Sequence, residues 1–163
     1  MKRTVHLIFG VLAIATLTAC GGGGSEEAPA IAVVEIADKY IGTWVACSSS
    51  PSTSVRETFI FSKASATKVS YTFTQVGFDN TACSGLPPSS PFSATGTFTF
   101  AGTKVIDGKT VDKINDEFFA PVARTEKGVG FISGTTLTLG SDAPLDAEGY
   151  PTALDTAYIY NKQ

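Results

Sequence analysis

Val69-Ser70-Tyr71-Thr72-Phe73-Thr74 is the stretch that decides the fold, because apolar and hydroxyl-bearing side chains alternate strictly along it. A period of two places the apolar side chains on one face of an extended strand and the polar side chains on the other. The pattern recurs in Thr97-Phe98-Thr99-Phe100 and in Thr136-Leu137-Thr138-Leu139. Residues 57–62 alternate as well, with apolar groups on both faces. The chain is therefore expected to consist of strands that bury one face.

Close turns join these strands into hairpins. Asp107-Gly108 is the dipeptide favoured in two-residue hairpin turns, and Ser133-Gly134 separates two further apolar runs. Ten strands are predicted, near residues 43–48, 55–62, 68–77, 93–100, 103–106, 109–115, 118–125, 129–133, 135–140 and 155–161. Short strands with close turns predict an all-β fold, a single antiparallel up-and-down barrel of about 8–10 strands, with a sandwich as the alternative.

The segments outside these strands have recognisable patterns of their own. Residues 31–40 predict one or two helical turns that cover an end of the barrel. Ser84–Pro91 and Asp142–Leu154 contain prolines or glycines and predict loops. Since the sequence has no internal repeat, we expect one domain over residues 31–163.

The first twenty residues predict export and a lipid anchor. A basic head, Met1-Lys2-Arg3, precedes an apolar run of about 15 residues, shorter than the roughly 20 that span a bilayer. Residues 1–19 are therefore expected to be a cleaved signal peptide. Leu17-Thr18-Ala19-Cys20 resembles the lipobox of bacterial lipoproteins, which implies that Cys20 becomes lipidated when the leader is removed. An ordinary secretory signal is the alternative.

A flexible tether is predicted after the lipid anchor. Residues 20–30 begin with the lipidated Cys and continue through Gly21-Gly22-Gly23-Gly24-Ser25, which has no side chains to pack. By resemblance to the sorting rule of enteric bacteria, Gly rather than Asp at position 21 implies the outer membrane. We therefore expect a cell-envelope protein that is attached to a membrane through its lipid anchor and faces the periplasm or the cell surface.

Composition excludes several classes of function. The chain of 163 residues has 12 Lys and Arg against 15 Asp and Glu, and loss of Lys2 and Arg3 with the leader makes it more acidic. An acidic protein is a poor partner for nucleic acid, whose phosphates favour clustered cations. The single His, His6, lies in the leader. The mature chain therefore has no histidine for a catalytic triad, a metal site or haem ligation, and we expect no cofactor.

Two further cysteines, Cys47 and Cys83, remain after lipidation of Cys20. In an exported chain two thiols are expected to form a disulfide, and two separate thiols are the alternative. Loop-closure entropy gives such a bridge a stabilising effect of roughly 4 kcal/mol. Two cysteines without histidine do not supply the four nitrogen or sulfur ligands of a structural zinc site.

Gly42-Thr43-Trp44, which enters the first predicted strand, resembles the Gly-x-Trp start of lipocalins. In that family the Trp closes one end of an eight-stranded barrel, and a cation from the last strand lies over its ring. The resemblance implies that Trp44 is the barrel-end plug and that Lys162 is its cap. The sequence departs from the family because no helical pattern follows the last predicted strand. Trp44 as an ordinary core residue of another β fold is the alternative.

Aromatic side chains on the strands are the candidate ligand-binding residues. In a barrel such side chains either fill the core or line a cavity, and both possibilities stay open at this point. The candidates for an apolar cavity are Trp44, Phe59, Phe61, Tyr71, Phe73, Phe98 and Phe100.

Acidic residues cluster in two places, and neither cluster predicts a metal site. Asp107, Asp112, Asp116 and Glu117 lie on or beside a hairpin, and Asp142, Asp146 and Glu148 lie in the late loop. Neither set has the alternate spacing of a calcium-binding loop, so we expect solvated turns. A glycosidase needs only two carboxylates, but no catalytic motif accompanies these clusters, and we expect no enzyme.

The sequence thus predicts a non-enzymatic envelope lipoprotein whose barrel binds a small apolar or amphipathic ligand or an envelope component. The alternative is a protein-interaction module similar to the small lipoproteins that inhibit lysozymes. Those proteins use a Ser/Lys-rich loop, which Ser48-Ser49-Ser50-Pro51-Ser52 resembles without its lysine. Retained lipid or a co-purifying protein would distinguish the two.

Overall fold

Eight antiparallel strands form a closed barrel in the computed structural model, which describes residues 35–163. The predicted signal peptide, Cys20 and the tether lie outside the described residues. The strands are β1 (Gly42–Ser49), β2 (Ser54–Ser65), β3 (Lys68–Phe78), β4 (Phe92–Ile106), β5 (Lys109–Ala120), β6 (Arg124–Ser133), β7 (Thr136–Gly140) and β8 (Leu154–Lys162). Each strand pairs with the next and β8 pairs with β1, so the predicted up-and-down barrel is confirmed.

The prediction of ten separate strands was wrong in two places. Residues 93–100 and 103–106 belong to one strand, β4, whose register shifts between Phe100 and Thr103. Gly102 lies in that bulge at a φ of 100°, which a glycine adopts without steric cost. The predicted strand 118–125 is instead the end of β5, a turn at 121–123 and the start of β6. Pro121 favours that turn because it lacks the N–H that a continuing ladder requires.

One end of the barrel is closed by aromatic side chains. The 3₁₀ turn Ile36–Lys39 lies there, at the place where the sequence predicted a helical cover. Trp44 is fully buried, and its indole Nε1 donates a hydrogen bond to the Tyr40 carbonyl at 2.6 Å. The Lys162 Nζ lies 5.1 Å from the centroid of the Trp44 ring. We refer to this side of the barrel, where the β2–β3, β4–β5 and β6–β7 turns also lie, as the closed end.

An aromatic core fills the interior of the barrel next to the closed end. Register places Phe59 of β2 opposite Phe73 of β3, and Phe61 opposite Tyr71. The Phe59 and Phe61 rings stack at 5.2 Å between centroids, and the Phe59 and Phe73 rings lie 4.7 Å apart. Aromatic pairs at such separations add about 0.5–1.5 kcal/mol each beyond the effect of burial.

A second apolar cluster lies outside the barrel. Ile106, Val111 and Val129 point outward from β4, β5 and β6, and the segment 141–153, here called the strap, covers them with Tyr150. The Tyr150 ring lies between two ammonium groups, at 4.5 Å from Lys113 Nζ and 5.0 Å from Lys127 Nζ. The barrel, the 3₁₀ turn and the strap together form one compact unit.

The predicted disulfide is present between Cys47 and Cys83, whose Cα atoms are 5.9 Å apart. It ties β1 to the long loop between β3 and β4. Ser54 Oγ accepts a hydrogen bond from the Cys83 N–H at 3.0 Å, and Arg56 donates to the Cys83 carbonyl at 3.2 Å. The bridge lies at the open end of the barrel, the side of the β1–β2, β3–β4 and β5–β6 connections and of the strap. Within residues 35–163, no helix has the length and apolar character to cross a membrane.

Candidate functional site

A cavity of about 590 Å³ enters the barrel at the open end. It lies where the wall is incomplete, because β7 pairs with β6 only from Gly130 to Ser133 and leaves the first half of β6 without a neighbour on that side. Apolar lining comes from Phe59, Phe98, Ile114, Phe118, Val129, Leu139, Leu145 and Pro151. Charged lining comes from Asp116, Arg124, Glu126, Lys127 and Asp142, and Gly128, Gly140, Ser141 and Gly149 complete the wall.

A smaller cavity of about 320 Å³ adjoins the first on the side of β2 to β4. The two cavities share Phe59, Phe118 and Arg124 as common walls. The smaller one is lined in addition by Glu57, Phe73, Phe92, Ala94, Pro121, Val122 and Tyr160. The open half of the barrel therefore offers an aromatic floor with charged groups around it.

The structure divides the aromatic side chains that the sequence predicted as ligand-binding residues. Phe59, Phe73 and Phe98 line the cavities. The remaining candidates, Trp44, Phe61, Tyr71 and Phe100, belong to the buried core and line neither cavity. The floor of the cavity is thus continuous with the core.

Three tyrosine–carboxylate hydrogen bonds cross the interior. Tyr40 donates to Asp112 Oδ2 at 2.9 Å and Tyr71 donates to Asp116 Oδ1 at 2.9 Å. Tyr160 donates to Glu57, whose other oxygen accepts from Gln75 Nε2 at 2.9 Å. Burial, followed by the neighbouring carboxylate, raises the pKa of all three tyrosines, so each hydroxyl keeps its proton and remains a donor.

Burial alters the protonation equilibrium of Asp116, a carboxylate in the interior of the barrel. Burial raises the pKa of Asp116 to about 7, against the opposing effects of the Tyr71 hydrogen bond and the Arg124 charge, while Glu126 raises it further. An acid that titrates near neutral pH inside a cavity is a common feature of functional sites.

Glycines make room for two of the buried tyrosines. A Cβ on Gly96 would lie 2.4 Å from the Tyr71 hydroxyl oxygen and 2.5 Å from the Glu117 carbonyl oxygen. A Cβ on Gly130 would lie 2.5 Å from the Tyr40 hydroxyl oxygen. Any side chain at either position would displace a tyrosine from its carboxylate partner.

The charged groups at the cavity mouth are partly paired with one another. Arg124 Nε lies 2.7 Å from Glu126 Oε1, and its guanidinium carbon lies 4.2 Å from the centroid of the Phe118 ring. Lys127 Nζ donates to the Glu148 carbonyl of the strap at 2.6 Å. Lys127 is therefore held toward the outer face of β6, and Arg124 is the cation that faces both cavities.

The expectation that the hairpin carboxylates are solvated was wrong for Asp112 and Asp116. Both point into the barrel, where Asp112 is 7% exposed. The alternation of Asp112 and Asp116 with Ile114 and Phe118 on one face of β5 was the signal that could have placed them there. In the late loop, Asp146 Oδ2 lies 2.5 Å from the ammonium group of a lysine on β4. Within residues 35–163, no group of three potential metal ligands is assembled.

Comparisons of the chain with protein-family models, curated proteins and solved structures found no match. The geometry and chemistry of the open-end cavity are therefore the basis for assigning a function.

Proposed function

We propose that this chain is a lipid-anchored protein of the cell envelope whose barrel binds one small amphipathic ligand and catalyses no reaction. The observation that carries this proposal is the cavity at the open end, with Phe59, Phe98 and Phe118 as its floor and charged groups at its mouth. Its volume lies within the range of about 300–1,000 Å³ that is typical of small-molecule sites. Apolar walls with a few polar groups are also the usual composition of such sites.

Because one end of the barrel is closed, a ligand cannot reach the cavity from that end. Trp44, Tyr40 and Phe61 fill that end completely, so a ligand has to enter from the open end or through the gap beside β6. The cavity therefore combines a floor that is packed on the core with access from the open end and the adjoining gap, an arrangement in which little of the protein has to be ordered when a ligand binds.

A fluorescent apolar probe tests ligand binding. N-phenyl-1-naphthylamine is expected to bind residues 35–163 saturably at one site per chain. The probe is excited at a wavelength longer than those that tryptophan absorbs. Gly128→Leu should abolish this binding, because Gly128 lines the cavity and a Cβ there meets no atom closer than 4.0 Å, so a larger side chain can extend from this position into the cavity. Absence of saturable binding by the wild type would refute the ligand-binding function.

Gly77→Leu is the matched control for the cavity-filling variant. Gly77 also lies in a strand and lines neither cavity, and a Cβ at this position would have no atom within 4 Å. It should bind the probe like the wild type. Equal loss of binding in both variants would attribute the effect to the strands rather than to the cavity.

The lipid anchor is tested separately in the full chain. Cys20→Ala is expected to abolish membrane attachment, because the thiol of Cys20 is the acceptor of the lipid in the lipobox resemblance. Detergent-phase partition and globomycin-sensitive processing of the wild type are the measurements. A wild-type protein that stays in the aqueous phase after removal of its leader would contradict the anchor and the envelope localisation.

An exposed apolar rim favours protein binding as the second candidate function. Leu86, Val122 and Leu145 project from three different connections at the open end and are 96%, 67% and 53% exposed. Apolar groups in such a position are typical of interaction surfaces. Native mass spectrometry of the protein extracted from its own envelope distinguishes the two functions: retained lipid supports the ligand-binding barrel, and a ligand-free barrel in complex with another protein supports the interaction module.

A further inference from the structure

The lining of the two cavities carries more negative than positive groups. Four carboxylates line them, those of Glu57, Asp116, Glu126 and Asp142, against the cations of Arg124 and Lys127. Glu57 lies on the β2 side of the floor and Asp116 on the β5 side, whereas Glu126 and Asp142 lie at the mouth. The aromatic floor therefore has a carboxylate on two of its sides, and the cation nearest to it is Arg124, whose guanidinium group lies over the Phe118 ring.

Both cations already have partners. Arg124 is paired with Glu126 and stacked on the Phe118 ring, and Lys127 is held by the strap. In contrast, the Asp116 carboxylate accepts one hydrogen bond, from Tyr71 to Oδ1, which leaves Oδ2 for a donor in the cavity. Asp116 is thus a polar group in the cavity whose second oxygen can accept a hydrogen bond from a ligand.

Resting on the proposed function, we propose that the ligand is a cationic amphiphile, an alkyl or aryl amine whose ammonium group binds the Asp116 carboxylate while its apolar tail lies on the aromatic floor. An ammonium group donates strongly to a carboxylate, and this interaction strengthens in the low dielectric of a cavity. The ring of Phe98, which is paired with Asp116 across β4 and β5 and lines the same cavity, adds cation–π attraction.

The same lining disfavours anionic amphiphiles. A fatty-acid carboxylate on this floor would approach Asp116 and Glu126, and the single guanidinium that could receive it is already bound to Glu126. Repulsion of the wrong head group provides specificity in addition to attraction of the right one.

Three probes with one tail test the head-group preference. Decylamine, decanol and decanoate are compared at pH 8, below their micelle concentrations, by displacement of N-phenyl-1-naphthylamine from residues 35–163. We expect decylamine to bind at least about tenfold more tightly than decanol, and decanoate to bind more weakly than decanol. Asp116→Asn should lower the affinity for decylamine to about that for decanol, both measured on this variant. Asp79→Asn, an equal change of charge on an exposed loop, should keep the wild-type preference.

Measurements on the wild type alone provide a second test, independent of the folding of any variant. Asp116 faces Tyr71 of β3 and Arg124 and Glu126 of β6, and burial among these groups raises its pKa to about 7. Decylamine stays protonated between pH 6 and pH 8, whereas Asp116 ionises. The affinity ratio of decylamine to decanol is therefore expected to rise about fivefold or more over this interval.

Three results would overturn the proposal. They are decanoate binding as tightly as decylamine, an unchanged decylamine-to-decanol ratio in Asp116→Asn, and a ratio that does not rise from pH 6 to pH 8. In each case saturable binding of the fluorescent probe would leave the ligand-binding function intact. Failure of the wild type to bind the fluorescent probe at all would refute both.

Discussion

Replacement of Asp116 by Asn is expected to stabilise the protein at alkaline pH and to have no effect in acid. Burial raises the pKa of Asp116 from 3.8 to about 7 in the folded state, so the folded protein prefers the protonated acid. A raised pKa confers stability that is present below the unfolded value near pH 4 and is lost as the pH rises through 7. Asn does not ionise and still accepts the Tyr71 hydrogen bond, so the variant avoids this loss.

The magnitude follows from the size of the shift. A displacement of about three pH units corresponds to roughly 4 kcal/mol at 1.36 kcal/mol per unit. Because Asp116 is only partly buried, solvent screens the charge, and we expect a stabilisation of about 1–2 kcal/mol at pH 8. The gain should grow between pH 4 and pH 7 and remain constant above pH 7.

Urea unfolding at unit intervals from pH 4 to pH 8 measures this difference, with the emission of Trp44, the single tryptophan, as the signal. Asp79→Asn controls for the removal of one negative charge from the protein. The reasoning is refuted if the stability of Asp116→Asn relative to the wild type does not change with pH, or falls as the pH rises.

Further predictions concern the closed end, the disulfide and β4. Trp44→Ala should destabilise the fold by about 3–5 kcal/mol through lost burial and the cavity left behind, while Lys162→Ala should cost no more than about 1 kcal/mol. Urea unfolding followed by circular dichroism measures both, and blue-shifted, weakly quenched emission of wild-type Trp44 checks the burial of the indole. Reduction of the Cys47–Cys83 bridge should destabilise the protein by about 2–4 kcal/mol. Two alkylatable thiols in the untreated native protein would contradict the bridge. Gly96→Ala should cost about 1–3 kcal/mol in thermal unfolding, because its Cβ meets a backbone carbonyl that cannot move aside; an unchanged melting temperature would contradict the close packing.

Much of the barrel was predictable because its strands alternate. The Asp107-Gly108 hairpin was predicted from two residues that both adopt positive φ, at 48° and 73°. The predicted number of strands was wrong where β4 passes through a bulge, because the sequence alone does not distinguish a bulge glycine such as Gly102 from a turn glycine. Pairing with β5 continues on both sides of that bulge, and this tertiary support is not encoded locally.

The candidate site was predictable only in part. Phe59, Phe73 and Phe98 were correctly assigned to one face of their strands. Which aromatic side chains fill the core and which border a cavity depends on packing between strands that are distant in the sequence. Asp112 and Asp116 were misjudged because acidic residues near a turn are usually solvated. Hydrogen bonds from tyrosines far away in the chain, Tyr40 after the 3₁₀ turn and Tyr71 on β3, help to make their burial tolerable.

The ladder between β1 and β8 has a consequence for the folding mechanism. Every other ladder of the described barrel joins consecutive strands. Apart from β3–β4 and β7–β8, which long connections join, these hairpins close short loops and are expected to form early. The β1–β8 ladder joins the first and last strands of the barrel through two residue pairs, Trp44–Lys162 and Val45–Asn161. It is the step that brings together residues far apart in the chain, and it should form last and open first. Amide exchange in β1 and β8 is therefore expected to proceed by local separation of this seam at a rate well above that of global unfolding, while β2 to β5 exchange only when the whole barrel unfolds.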